Sequence, residues 1–146
     1  MDIFSKNTKN TQEIARDFLV NIETNKNKAT VVGLYGELGT GKTTFVQFVG
    51  KFLDVNKKIK SPTYVIMKKY NLKKSGFKYL FHLDAYRLKN EKELLHLGWD
   101  EIISNKEHLV FIEWPEKIIK AMPKKHHQIN ITHTKEGHRK FKIKNA

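Results

Sequence analysis

The stretch Gly36-Glu37-Leu38-Gly39-Thr40-Gly41-Lys42-Thr43-Thr44 constrains this chain more than any other, because it fits the phosphate-binding pattern G-x-x-x-x-G-K-[ST] without a gap. Such a loop carries meaning only between a strand and a helix. Upstream, Thr30-Val31-Val32-Gly33-Leu34-Tyr35 is a short apolar run rich in β-branched residues, the pattern of a buried parallel strand. Downstream, Phe45, Val46, Phe48, Val49, Phe52 and Leu53 recur at helical spacing as far as Asp54. Both flanks are of the required kind, which distinguishes the motif from a glycine-rich turn that merely joins two elements.

The residue types predict the chemistry. Glycines let the backbone close around an anion with successive N–H groups pointing inward. A helix opening near Gly41 adds its positive end, roughly half a unit charge, at the same place. Lys42 is then placed to reach the β and γ phosphates, and Thr43 to offer its hydroxyl to a magnesium ion. Leu38, Gly39, Thr40, Gly41 and Thr44 complete the candidate nucleotide-binding loop.

At 146 residues the chain is one domain's worth, with a single core over 1–146. No run approaches ~18 consecutive apolar residues, so no membrane span is expected. The start, Met1-Asp2-Ile3-Phe4-Ser5-Lys6-Asn7, has no apolar secretory region. Zero cysteines exclude disulfides and thiolate metal sites, which leaves cytoplasmic residence as the expectation. The formal net charge of +13 suits nucleic acid, since clustered cations release phosphate counterions. Nearly all the positive residues are lysine, however, with arginine only at positions 16, 87 and 139. A Lys/Asn/Ile skew of this kind also arises at any solvated surface of an AT-rich genome's protein, and both readings stay open.

Thr11 is a plausible N-cap for a helix carrying Ile14, Ala15, Phe18, Leu19 and Ile22 on one face. Beyond the loop's helix, Lys60-Ser61-Pro62-Thr63-Tyr64 opens a second extended stretch through Val65 to Tyr70, with Pro62 keeping Ser61 out of the helical region. Thr63 is a candidate sensor of the γ phosphate, set against a plain Ser-Pro-Thr turn. After a loop from Asn71 to Gly76, Phe77, Tyr79, Phe81 and Leu83 alternate with Lys78, Leu80, His82 and Asp84, so the two stretches form a hairpin. Period two puts His82 and Asp84 on the same side, with Arg87 just beyond. A functional cluster competes there with a surface Asp84–Arg87 ion pair worth ~0 to 1 kcal/mol.

Residues 91 to 103 suggest a short helix, a turn and a half-buried helix serving as scaffold. His108-Leu109-Val110-Phe111-Ile112-Glu113 is an apolar strand that ends in a carboxylate, the Walker B arrangement in which the acid holds magnesium directly or through water. Pro115 ends that strand and suits the first turn of a helix from Glu116 to Ala121. Residues 128 to 131 and 139 to 144 alternate as two more strands around Gly137, their lysines blunting an exposed sheet edge. His126 and His127 are adjacent and so point to opposite faces, against a shared metal.

With these residues in view, the chain resembles the TsaE (YjeE) family, a small ATPase of the bacterial machinery that makes threonylcarbamoyladenosine in tRNA. The carriers are Gly36 to Thr44, Ser61-Pro62-Thr63-Tyr64, His82-Leu83-Asp84-Ala85-Tyr86-Arg87 and Ile112-Glu113-Trp114. The resemblance implies an α/β, three-layer P-loop NTPase fold with a mixed, mainly parallel sheet containing the antiparallel hairpin. It implies ATP and Mg2+ as ligands, Lys42 on the phosphates, Thr43 and Glu113 as metal ligands, and Asp84 needed for hydrolysis. Thr63 would respond to the nucleotide state, and Trp114 would lie beside the nucleotide. It also implies TsaD and TsaB as protein partners, with tRNA met through that complex.

ATP is favoured over GTP because the nearest strings to N-K-x-D, Asn105-Lys106-Glu107-His108 and Asn25-Lys26-Asn27-Lys28, lack the aspartate. Two alternatives remain: a small-molecule or nucleoside kinase, for which no arginine-bearing lid is visible, and a non-enzymatic tRNA-binding scaffold.

Overall fold

The structure is a computed structural model that describes residues 2–55, 66–73 and 75–146. Its frame is one seven-stranded sheet in the order β1-β7-β6-β2-β5-β4-β3. In chain order the strands are β1 (Asp2–Ser5), β2 (Thr30–Tyr35), β3 (Met67–Asn71), β4 (Tyr79–Asp84), β5 (His108–Glu113), β6 (His127–His133) and β7 (Arg139–Lys144). The helices are α1 (Thr8–Asn21), α2 (Lys42–Phe52) and α3 (Trp99–Ile103), with 3-10 segments at Glu91–Leu97 and Pro115–Ala121.

The centre, β6-β2-β5-β4, is parallel, whereas the β1/β7, β7/β6 and β4/β3 pairings are antiparallel. The sheet is mixed, as expected, but only half of its pairings are parallel, so the expectation that it is mainly parallel is corrected. Short links force this outcome, since parallel neighbours need a long crossover and neither the β3/β4 nor the β6/β7 connection supplies one.

Two cores lie on opposite faces of the sheet, as three layers require. Period two decides which residue goes where: Val32, Leu109 and Phe111 face α1 and α2, whereas Val31, Val110 and Ile112 face the layer built from α3 and the two 3-10 segments. Strands covered on both sides need apolar residues at every position, and all six residues of β5 are buried. Among the described residues, no helix is long and apolar enough to cross a membrane.

Helix α1 begins earlier than its apolar stripe indicates. Asn7 is the cap, its side chain accepting from the Asn10 N–H at 2.8 Å. Thr11, the expected cap, is buried one turn later and meets the Ser5 hydroxyl at 2.7 Å. A first turn lying over the end of β1 needs no apolar side chain, so periodicity alone misses it.

The lysine-rich final strand is not the sheet edge either. β1, which no local pattern announced, pairs with β7 from Asp2↔Lys142 to Ser5↔Arg139 and takes the edge itself. The hairpin is as expected, running from Met67↔Leu83 to Asn71↔Tyr79. The expected helices at Glu91 and Pro115 are both 3-10, the second kinked at Ile118 with Pro115 in its first turn. Ser61-Pro62-Thr63-Tyr64, and with it the expected switch Thr63, lies outside the described residues.

Candidate nucleotide-binding site

Parallel pairing of β2 with β5 and of β5 with β4 brings three strand ends to one rim of the sheet. The register sets Leu34 against Glu113 and Glu113 against Asp84, so the phosphate loop and two carboxylates emerge side by side. Ligands of open α/β sheets bind at this carboxyl rim. A cleft of about 380 Å³ lies there, lined by loop residues 38, 39 and 41–44 together with Asp84, Tyr86, Arg87, Glu113, Trp114 and Arg139.

The loop turns into α2 at Gly41, whose φ of +103° is in the left-handed region that favours glycine. A Cβ at that position would also stand 2.8 Å from Arg139 Nη1, so the guanidinium of β7 leans on the opening of α2. Thr40 is buried and donates its hydroxyl to the Glu37 carbonyl at 3.0 Å, which braces the turn.

Lys42 begins α2 with its side chain only 5% exposed. Its ammonium donates to the Gly36 and Glu37 carbonyls, the latter at 2.9 Å, and sits 4.2 Å from the centre of the Trp114 ring. Burial pushes its pKa down, and the carboxylates of Glu113, Glu116, Asp84 and Glu37 oppose that shift. The ammonium is thereby held at the loop among acids that favour its charged form.

Thr43 donates its hydroxyl to both oxygens of Glu113, at 3.0 and 2.9 Å. Glu113 Oε2 also meets His82 Nε2 at 2.5 Å. Asp84 stands beside this pair and accepts from the Tyr86 N–H at 3.0 Å. Burial raises the Asp84 pKa, the Tyr86 N–H bond lowers it, and the Glu113 charge raises it again. A hydroxyl and a carboxylate converging under a phosphate loop fit magnesium, which takes one or two protein oxygens plus phosphates and water. Among the described residues there is no group of three or more His, Cys, Asp or Glu that would form an all-protein metal cage.

Trp114 closes the cleft from the side. Its backbone adopts φ +59°, ψ +49°, an uncommon conformation for a bulky residue, with an expected cost of about 1–3 kcal/mol. The turn aims the indole back over Lys42 and against Tyr86, with ring centres 5.0 Å apart.

A family model described as "Threonylcarbamoyl adenosine biosynthesis protein TsaE" matches residues 5–141, almost the whole chain. The chain belongs to the TsaE family. Two similar proteins carry the name tRNA threonylcarbamoyladenosine biosynthesis protein TsaE. The one from Bacillus subtilis (strain 168) is 34% identical over 111 residues, 76% of this chain and 66% of that one. The one from Nostoc sp. (strain PCC 7120) is 37% identical over 119 residues, 78% of this chain and 69% of that one. The matched stretches thus span about two thirds of these relatives' lengths. The crystal structure of Bacillus subtilis YdiB superposes with a TM-score of 0.76 at 25% identity, covering 98% of this chain and 83% of that one.

In this TsaE-family chain the residues expected at the site from Leu38 to Thr44, with Asp84, Glu113 and Trp114, converge around one cleft; Thr40 supports it from beneath. Arg139, Tyr86 and the fixed contact of His82 with Glu113 were not anticipated. Arg139 carried one readable signal: it is one of three arginines in a lysine-biased chain, the same reason that singled out Arg87. His126 and His127 do diverge, His126 to Tyr35 and the Pro123 carbonyl, and His127 to the Glu23 carbonyl.

Proposed function

We propose that this chain is a magnesium-dependent ATP-binding protein with slow ATPase activity, and that it serves threonylcarbamoyladenosine modification of tRNA as an accessory to TsaB and TsaD. The observation that carries the chemical half is the junction of Thr43 and Glu113 beneath the Lys42 loop. Membership of the TsaE family carries the biological half. In this scheme the loop N–H groups and Lys42 bind the phosphates, and Thr43 and Glu113 hold Mg2+, whose bound form supplies charge neutralisation at the β and γ phosphates. Asp84 orients the attacking water or accepts its proton, a role that suits a carboxyl whose pKa is raised by burial. Arg87 and Arg139 add positive charge along the cleft.

The deciding experiment is magnesium-dependent ATP hydrolysis by the pure protein, alone and with TsaB, TsaD and tRNA. Slow turnover alone and faster turnover in the assembly are expected. Equal rates in both settings would remove the accessory role, and phosphate transfer to a nucleoside would make the chain a kinase.

Asp84→Ala separates hydrolysis from binding. It is expected to lower turnover by about 100-fold or more, within the range typical of a positioned acid–base group, while ATP affinity stays within a factor of about three. Calorimetric titration beside a phosphate-release assay reads both quantities. Lost binding in a folded variant would exchange the roles of Asp84 and Glu113.

A further inference from the structure

We propose that His82 is a positioning residue that holds the Glu113 carboxylate in place for the metal, an inference that rests on the magnesium site proposed above. His82 is fully buried on β4, on the same side of the sheet as Glu113, and its Nε2 lies 2.5 Å from Glu113 Oε2. An ionised carboxylate only accepts hydrogen bonds, so the ring nitrogen donates and the imidazole carries its proton on Nε2.

The other ring nitrogen, Nδ1, is buried with no hydrogen-bond partner among the described residues. Packing alone does not explain an imidazole here, because its strand neighbours Leu80, Phe81 and Leu83 are buried apolar groups that leave nothing unsatisfied. Among the described residues, the bond to Glu113 is the one polar contact the His82 side chain makes.

That contact becomes more important when a cation binds. In the structure Glu113 is held by Thr43 as well as by His82. A Thr43 hydroxyl that gives a lone pair to magnesium still has only its single hydrogen to offer Glu113, so the second carboxylate oxygen depends on His82. His82 then keeps one Glu113 oxygen fixed and leaves the other to face the metal or its water. Donors behind metal-binding carboxylates are worth about 10–100-fold in metal affinity.

The test compares ADP binding with and without Mg2+, by calorimetry, in the parent protein, His82→Leu and His82→Gln. Magnesium is expected to tighten ADP binding to the parent. In His82→Leu that tightening should fall by about tenfold or more, with magnesium-free affinity within about twofold of the parent. His82→Gln, whose amide N–H has a similar reach, should recover most of it. Tightening that survives in His82→Leu, falls together with magnesium-free affinity, or is not rescued by glutamine would overturn the proposal. A parent protein without any magnesium effect would instead remove the metal site itself, and this proposal with it.

A long-range proton–nitrogen NMR correlation of the metal-free parent supplies a second reading that needs no variant. The Nε2–H tautomer is expected for His82. The Nδ1–H tautomer, which leaves nothing to donate to Glu113, would overturn the proposal even if both variants failed to fold.

Discussion

Lys42→Ala is expected to cut ATP turnover by at least about 100-fold while leaving the thermal midpoint within a few degrees of the parent. The ammonium is the one cation of the loop's own sequence, and its position between the Gly36 and Glu37 carbonyls and the Trp114 ring keeps it at the loop. In the proposed ATPase, charge that builds on the phosphates in the transition state would meet a cation already in place, and removal of one such donor typically costs about 100- to 1,000-fold. The fold should tolerate the change because alanine is a good helix former and the lost bonds run to turn carbonyls within the same loop. Phosphate release at saturating Mg-ATP, with circular-dichroism melting as control, measures both. Turnover above about a tenth of the parent's would show that the loop does not act on the γ phosphate.

Gly36→Ala is expected to be strongly damaging, destabilising the chain by roughly 2–6 kcal/mol. About 1–3 kcal/mol of this comes from backbone strain at φ +151°. A similar about 1–3 kcal/mol comes from overpacking, because a Cβ at Gly36 would lie 2.5 Å from the Ile131 carbonyl oxygen and 2.8 Å from Thr40 Oγ1. The Thr40 hydroxyl could turn aside, but the carbonyl belongs to β6 and cannot move without shifting that strand. Against a total stability of about 5–15 kcal/mol, the loss approaches unfolding.

Gly39→Ala is the internal comparison. Its φ of +78° carries the left-handed penalty of about 1–2 kcal/mol, but nothing lies within 4 Å of the added methyl. Urea denaturation should show a much larger fall in midpoint for Gly36→Ala at unchanged slope. Equal shifts would mean that the contact with β6 does not matter and that strain alone sets the cost.

The two variants separate what a motif asks of its residues. In the proposed function Lys42 is required by the nucleotide, whereas Gly36 is required by the neighbouring strand; the G-x-x-x-x-G-K-[ST] pattern treats both as the same kind of constraint. Trp114 combines the two roles, because its strained backbone is what turns the ring over Lys42.

Local chemistry made much of this molecule readable from its residues. The loop from Gly36 to Thr44, β2 before it, α2 after it and β5 ending in Glu113 depend on short-range spacing, on period two against period 3.6, and on which side chains bind phosphate and metal. The Ser61 to Tyr64 segment was equally distinct as a pattern, although it lies outside the described residues. Beyond the β3/β4 hairpin, strand order was not readable, and three features follow from it. β1 covers β7, Arg139 reaches the opening of α2 from almost 100 positions away, and His82 supports Glu113 across 31 residues. Each depends on which strands become neighbours. That choice is made when the whole sheet closes over its two cores, because a hydrogen bond between distant residues leaves no period, cap or spacing in either segment alone.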